Sequence, residues 1–465
     1  MRVRAARRLV LIAAICGIVG CGSGGGGGPR GGAGGGSGNG TGGGAGGGPT
    51  GGSGTAGAGG GAAGSGGGQA GKRPWPDSTA QTRVLADQLP SGLTAGQRQF
   101  VVTHMVGTQK LTLAESQPLR ALAPDFLVLH YHLAIWQSAP SVNFIIDGMN
   151  WSNDYPTVTT HEDWFWHNAA GMRVAAIDDG KLLMNIGNQA FIDYWKQSFI
   201  AQAIASDADG VFADSASPDL LQWEAQSPPE PRLAGTGARD TSIPELGGRN
   251  YSLAWDDFMV QMNSALADAG LALLPNTGAF TTSWDGTDYG VTSGAFVEGF
   301  ADRSWPIEDW VRSMDRVLWM AARQQIVIVQ NYLSSPTDVA TRMYYLANYQ
   351  LMRGARTYID YFASNPLEWY PEWDVDLGAP ILTAIATDLL IDDTGSFYQR
   401  EFAKGWAVVN PGDAAVTVTF PSGARQVMPQ GGGAINTAGD TPGTIAYAAA
   451  TSLMLPAHSG AIILK

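Results

Sequence analysis

The sequence predicts an α/β chain in which a (β/α)8 TIM barrel is followed by a small C-terminal antiparallel β-sandwich domain. Three observations point there. Eight short apolar, strand-like runs each close on a polar side chain, and amphipathic stretches of helical period separate most of them. From about Thr394 the composition changes to short alternating runs broken by Pro-Gly, Ser-Gly and Gly-Gly-Gly turns, the mark of an antiparallel sheet.

The first segments precede the barrel. Residues 1–21 combine a basic start (Arg2, Arg4, Arg7, Arg8), an apolar stretch from Leu9 to Val19 too short to span a bilayer, and small residues before a cysteine. They read as an export signal, and Ile18-Val19-Gly20-Cys21 resembles the bacterial lipobox. That resemblance implies lipidation of Cys21 and attachment to the cell envelope, at the outer membrane if the host is Gram-negative, because Gly22 rather than Asp follows. Residues 22–71 carry 31 of the 63 glycines, and such a segment cannot bury enough apolar surface to offset its ordering entropy. It reads as a disordered tether with a root-mean-square reach of roughly 40 Å. Residues 72–97 are a lead-in, 98–393 the catalytic barrel and 394–465 the β domain.

Within the barrel the predicted strands are Val101–His104, Phe126–His132, Leu182–Asn185, Asp209–Asp214, Leu271–Asn276, Gly294–Glu298, Ile326–Asn331 and Ala355–Asp360. Helical spacing marks Asn188–Ala205, Tyr251–Ala269, Ile307–Arg323, Pro336–Arg353 and Pro380–Ile391. Two connections are oversized, Ile135–Gly180 and Ala216–Gly248, and both follow strand ends, the face on which such a barrel carries its site.

Composition excludes several functions. The only cysteines are Cys16 and Cys21, so the folded part holds no disulfide or thiol site. The net charge of −13, or −17 once the four signal arginines are removed, argues against nucleic acid and against a charge-driven grip on anionic lipid. No obligate protein partner is evident.

Polar residues at strand ends are the candidate chemistry. Asp214 and Glu298 end the fourth and sixth predicted strands, beside small residues (Ala213, Ser215, Gly299) that leave both accessible. Hydrolysis of a glycosidic bond needs two such carboxyl groups. Phe296, Phe300 and Trp305 offer Glu298 an apolar setting that would keep a carboxylic acid protonated, whereas Asp214 lies among polar neighbours. His104, His130, His132, Asn185, Asn276, Asn331 and Asp360 would line the pocket and bond substrate hydroxyls. The chain has 15 Trp, and Trp136, Trp151, Trp164, Trp166, Trp305, Trp369, Tyr370 and Trp373 fall in predicted strand-end loops, where flat rings suit sugar faces. His130-Tyr-His132 would point two imidazoles to one side, as metal-dependent barrels do, but no histidine follows at strand five or six. The sequence predicts neither a metal nor a cofactor.

The layout narrows the class. Barrel hydrolases with acid on strand four and nucleophile on strand seven need a carboxylate where this chain has Gln330 and Asn331; those with acid on strand five need one at Asn276. A nucleophile on four and an acid on six resembles the α-galactosidase and α-glucosidase clan. That resemblance implies Asp214 as nucleophile and Glu298 as acid/base, with retention at the anomeric carbon. Closer still, Asp163-Trp-Phe-Trp-His, Gly171-Met-Arg-Val, Met184-Asn-Ile-Gly-Asn188, Tyr194-Trp195, Asp209-Gly-Val-Phe-Ala-Asp214-Ser, Trp369-Tyr-Pro-Glu372-Trp and, opening the β domain, Arg400-Glu-Phe and Val408-Val-Asn410-Pro resemble the hypothetical glycosyl hydrolase-like family fifteen. The order of these motifs carries the resemblance, which implies a barrel acting on an oligo- or polysaccharide. A non-catalytic cell-surface glycan-binding lipoprotein built on a barrel is the open alternative.

Overall fold

The strands alternate, and the alternation sorts their side chains between the barrel axis and the surrounding helices. The computed structural model describes residues 72–137, 145–146, 149–150, 154–167, 171–175, 181–216, 251–280, 289–363 and 367–465. Eight parallel strands form the barrel: β1 Val84–Ala86, β2 Met105–Gln109, β3 Leu127–Leu133, β4 Gly210–Asp214, β5 Ala272–Pro275, β6 Gly294–Glu298, β7 Ile326–Tyr332 and β8 Thr357–Phe362. They run in the order β6-β7-β8-β1-β2-β3-β4-β5. A bridge between Asn276 and Phe296, with the Thr277 N–H donating to the Phe296 carbonyl at 2.9 Å, joins β5 to β6 and closes the cylinder. Gly294 is required at that seam, since a Cβ there would lie 1.8 Å from the Ile326 carbonyl oxygen.

Inside, Leu85, Leu129, Phe212, Leu274, Phe296 and Ile328 fill the axis. Trp75 belongs to the same cluster, tilted against Tyr358 with ring centroids 5.5 Å apart. Outside, among the described residues, pack the helices α1 Ala95–His104, α2 Leu113–Leu122, α3 Gln189–Ala205, α4 Tyr251–Asp268, α5 Ile307–Ala322 and α6 Val339–Met352. At the start of β4, fully buried Asp209 accepts from Arg73 at 2.9 Å and Arg120 at 2.8 Å, which ties the lead-in and α2 to the barrel.

The structure corrects three element assignments. Val101–His104 is the end of α1 and not a strand; the strand begins one residue later, at Met105. The capping box Thr94-x-x-Gln97, in which Thr94 and Gln97 bond each other's backbone N–H, was the legible sign of that helix. Leu182–Leu183 pairs antiparallel with Trp136–Gln137 outside the barrel sheet, and the eighth barrel strand is instead Val84–Ala86, in the segment read as a lead-in. The two errors cancel, so Asp214 and Glu298 do end the fourth and sixth strands. Pro380–Ile391 forms no α-helix: its backbone pairs with the following strand, Ile381 N–H to the Glu401 carbonyl and the Leu390 carbonyl from the Gln399 N–H, leaving a single 3-10 turn at Thr387–Leu389.

The C-terminal strands are β9 Tyr398–Phe402, β10 Gly405–Asn410, β11 Val416–Thr419, β12 Arg425–Gly431, β13 Gly443–Ala449, β14 Ser452–Leu455 and β15 Ser459–Leu464. Five make an antiparallel sheet, β9-β10-β15-β12-β13, and the antiparallel β11-β14 pair shares with it a core that includes Trp406, Val408, Val418, Phe420 and Ile463. Helix α6 is buried between this domain and the barrel. The Arg400 guanidinium, on β9, donates to the carbonyls of Leu351 and Arg353 at its C-terminal end. Arg342 of α6 makes a two-pronged pair with Glu372, both side chains fully buried, and donates to the carbonyls of Pro336 and Gly431. Removing one partner of such a pair leaves an unmatched buried charge. Arg342→Met is therefore expected to lower unfolding free energy by about 3–5 kcal/mol in a urea melt; a loss below about 1 kcal/mol would show that the buried pair is not a main support of the fold.

Candidate active site

The barrel mouth is a layer of inward polar residues one step above the apolar axis. Because inward positions alternate, the strands that bury Phe212, Leu274, Phe296, Ile328 and Tyr358 next present Asp214, Asn276, Glu298, Gln330 and Asp360. Two strand ends then turn abruptly: Ser215 after Asp214 has φ 51°, and Gly299 after Glu298 has φ 74°. The Ser215 conformation is strained for a residue with a Cβ, and its N–H donates to Asp214 Oδ1 at 2.7 Å.

Asn276 joins the two carboxylates. Its Nδ2 donates to Asp214 Oδ1 at 2.8 Å and to Glu298 Oε2 at 2.7 Å, while its Oδ1 accepts from the Gly278 N–H. Two oxygens at those distances from one nitrogen can stand no further apart than their sum, 5.5 Å. Each carboxylate also has its own phenol. Tyr131 O–H donates to Asp214 Oδ2 at 2.5 Å, and Tyr332 O–H donates to Glu298 Oε1 at 2.7 Å while accepting from Gln330 Nε2 at 3.0 Å. Desolvation, reinforced by the charge of Asp214, holds the Glu298 carboxyl above the usual carboxylate range, against the opposing hydrogen bonds of Tyr332 and Asn276. Both phenols are pushed well above their ordinary value, by burial first, so they remain O–H donors.

Of the other predicted pocket residues, Asp360 is at the mouth: it is buried, its Oδ2 accepts from the Asp87 N–H at 2.7 Å, and burial holds its carboxyl well above its usual range. The remaining residues lie elsewhere. His130 and His132 occupy the outward positions of β3, against α3. His130 Nε2 lies 3.1 Å from Gln202 Oε1, and desolvation brings its pKa down to about 4. The His132 ring sits 3.6 Å from that of Phe199, and its Nε2 is 3.6 Å from Asp154. His104, at the C-terminal end of α1, stacks on Phe100 with centroids 4.0 Å apart. Asn331 is outward on β7, one residue from the inward Gln330, and is buried. Asn185 shapes the turn into α3, accepting from the Gly187 N–H and donating to the Asp163 carbonyl.

The tryptophans are largely core. Trp136 and Trp166 are buried at 1% exposure, and Trp373 packs among Tyr361, Trp369 and Tyr370 beside the Arg342–Glu372 pair. Trp305 is half-buried against the main core. Arg303, close in sequence to Glu298, donates to Thr341 Oγ1 and to the His458 carbonyl. Cys21, the tether and Trp151 lie outside the described residues. Tyr131, Tyr332, Asp87, Lys110 and Gln109 also stand at the mouth, outside the residues that the sequence predicts. Tyr131 lies inside the His130-Tyr-His132 run, on the opposite face of the strand from the two histidines.

A family model described as hypothetical glycosyl hydrolase family 15 matches residues 120–406, more than half of the chain. The chain belongs to that family. Its class is that of the glycosyl hydrolases. No curated protein matches it. Among solved structures, a maltogenic α-amylase from Thermotoga neapolitana is similar at 10% identity and TM-score 0.40, over 83% of this chain and 97% of that one. A trehalose-6-phosphate hydrolase from Bacillus licheniformis is similar at 9% and 0.40, over 83% and 99%. A cycloisomaltooligosaccharide glucanotransferase from Paenibacillus sp. is similar at 10% and 0.37, over 83% of this chain and 55% of that longer one.

The network around Glu298 predicts opposite shifts from two variants. Asn276→Ala removes a donor that favours the ionised carboxylate, so the Glu298 pKa rises further; Asp214→Asn removes a negative neighbour, so it falls. Carbon-13 titration of the Glu298 carboxyl reads both without a substrate. Shifts of the same sign in the two variants would mean that this network does not control the group.

Proposed function

We propose that this glycosyl hydrolase cleaves its glycan with retention, Asp214 attacking the anomeric carbon and Glu298 donating the proton to the leaving oxygen. The supporting observation is the single Asn276 nitrogen shared by both carboxylates, which keeps the bonded oxygens within 5.5 Å. Retaining enzymes place their carboxyl groups about 5–5.5 Å apart, and inverting ones about 6.5–9.5 Å, to admit a water. The roles follow from environment. Glu298, raised by desolvation and by Asp214, is suited to hold a proton. Asp214 accepts from Tyr131, Asn276 and the Ser215 N–H, a set of donors that stabilises negative charge and aims the oxygens.

In the first step an Asp214 oxygen forms a bond to the anomeric carbon as the glycosidic bond breaks, and Glu298 transfers its proton to the departing oxygen. In the second, Glu298 as carboxylate takes a proton from water, which attacks the same carbon and frees Asp214. Glu298→Gln is expected to lower turnover by about 10²–10⁴-fold with an alkoxide leaving group. Product NMR should show the substrate's anomeric configuration kept, and Asp214→Ala with added azide should give the glycosyl azide of inverted configuration. An inverted sugar product from the unaltered enzyme overturns the retaining assignment; glycan binding without turnover in any form of the protein leaves a carbohydrate-binding barrel instead.

The chain is further proposed to be exported and anchored to the cell envelope through lipidated Cys21, on the strength of its lipobox-like sequence. Cys21→Ser should abolish labelling by radioactive palmitate and release the protein from the membrane fraction. Unchanged fractionation and labelling would refute the anchor.

A further inference from the structure

Beside the carboxylate pair, strands β8, β1 and β2 end in a second polar group, which the proposed chemistry does not use. Asp87, directly after β1, accepts from Lys110 Nζ at 2.9 and 3.0 Å through its two oxygens and from Gln109 Nε2, and its N–H holds Asp360. Lys110 leaves β2 with φ 65°, a strained conformation for a residue with a side chain, and its ammonium lies 5.3 Å from the centre of the Tyr131 ring, whose hydroxyl holds Asp214. This wall therefore adjoins the reacting centre. Two fully buried amide oxygens at the mouth, Gln109 Oε1 and Gln330 Oε1, accept no hydrogen bond.

We propose that Asp87, Lys110, Gln109 and Asp360 form the wall that reads the hydroxyls of the bound sugar, and that it selects an uncharged sugar over a uronate. The inference rests on the proposed function, whose substrate class it narrows. Hydroxyl groups both donate and accept, which matches a wall that offers carboxyl and amide oxygens next to an ammonium. Charge supplies the selection. Among the described residues the wall's cation is Lys110, and Asp87 already matches it at both oxygens. The field beyond the pair is negative: Asp87 and Asp214 both raise the Glu298 carboxyl, and Asp214, Glu298 and Asp87 all raise the Tyr131 and Tyr332 phenols. A sugar carboxylate entering this site would meet like charge and no free cation from the wall.

Saturation-transfer NMR of the full-length protein at neutral pH, with glucose and galactose against glucuronate and galacturonate, tests this. The unaltered protein should bind a neutral hexose about tenfold or more tightly than the matching uronate. Asp87→Asn frees the Lys110 charge and should raise uronate binding relative to hexose by a similar factor, whereas Lys110→Met should weaken the hexose and leave the uronate excluded. Equal or stronger uronate binding by the unaltered protein, no binding of either neutral hexose, or an Asp87→Asn ratio that does not move would overturn the proposal. Should Asp87→Asn fail to fold, the ratio for the unaltered protein decides alone. The two readings fail separately. Hydrolysis of uronides would sink the wall and spare the catalytic pair; Asp87-dependent hexose binding with no hydrolysis would do the reverse.

Discussion

Two carboxyl groups share one amide in this barrel, and the rest of the mouth answers that arrangement. Asp214 and Glu298 lie close enough for a single nitrogen of Asn276 to serve both. Like charges at such a distance in a desolvated mouth disfavour simultaneous ionisation, so one group must hold a proton more tightly than a free carboxylate. The asymmetry of their partners chooses which. Asp214 has a phenol, an amide and a backbone N–H; Glu298 has a phenol and an amide, and the phenol is itself engaged by Gln330. The pair is thereby divided into a carboxylate with more donors and a carboxyl with fewer.

Height within the barrel comes from register. β4, β5 and β6 each bring an aromatic or aliphatic side chain to the axis two residues before the polar one, at Phe212, Leu274 and Phe296. The polar layer therefore rests on a dry floor, and the same floor that packs the barrel supplies the desolvation which raises Glu298. Stability and reactivity draw here on one layer of residues. Below it, Trp75 and the pairing of Asp209 with Arg73 and Arg120 bind the lead-in to the start of the barrel, at the opposite end of β4 from Asp214.

Legibility in the sequence followed the strength of the local signal. Asp209–Asp214, Gly294–Glu298 and Ile326–Asn331 read as strands because unbroken apolar runs end sharply in polar residues, and both carboxylates lie there. Val84–Ala86 is three residues long and offers no such run, so its pairing with β2 and β8 is visible only in the folded chain. Val101–His104 has β-branched residues that favour a strand, yet the capping box at Thr94 and the packing of Phe100 and Val101 in the core make it helix. The histidines failed for a different reason. In a parallel strand covered on both sides, polar residues can face the helices as readily as the axis, and alternation alone does not say which face is which. On β3 the axis took Leu127, Leu129 and Tyr131, and the two histidines went to α3.

Tyr131 and Tyr332 show why a phenol suits this mouth better than a second layer of charge. Burial pushes their pKa values well above the ordinary phenol range, so each still presents an O–H to its carboxylate at a pH where a free phenol would ionise. A lysine or arginine in either place would hold the carboxylate more strongly but would draw its proton affinity down, against the desolvation that raises Glu298. A neutral donor orients the oxygen at less cost to its basicity. The ammonium that does stand at the mouth, Lys110, is turned onto Asp87, away from hydrogen bonding with Asp214 and Glu298, so it does not draw down the proton affinity of either by direct pairing.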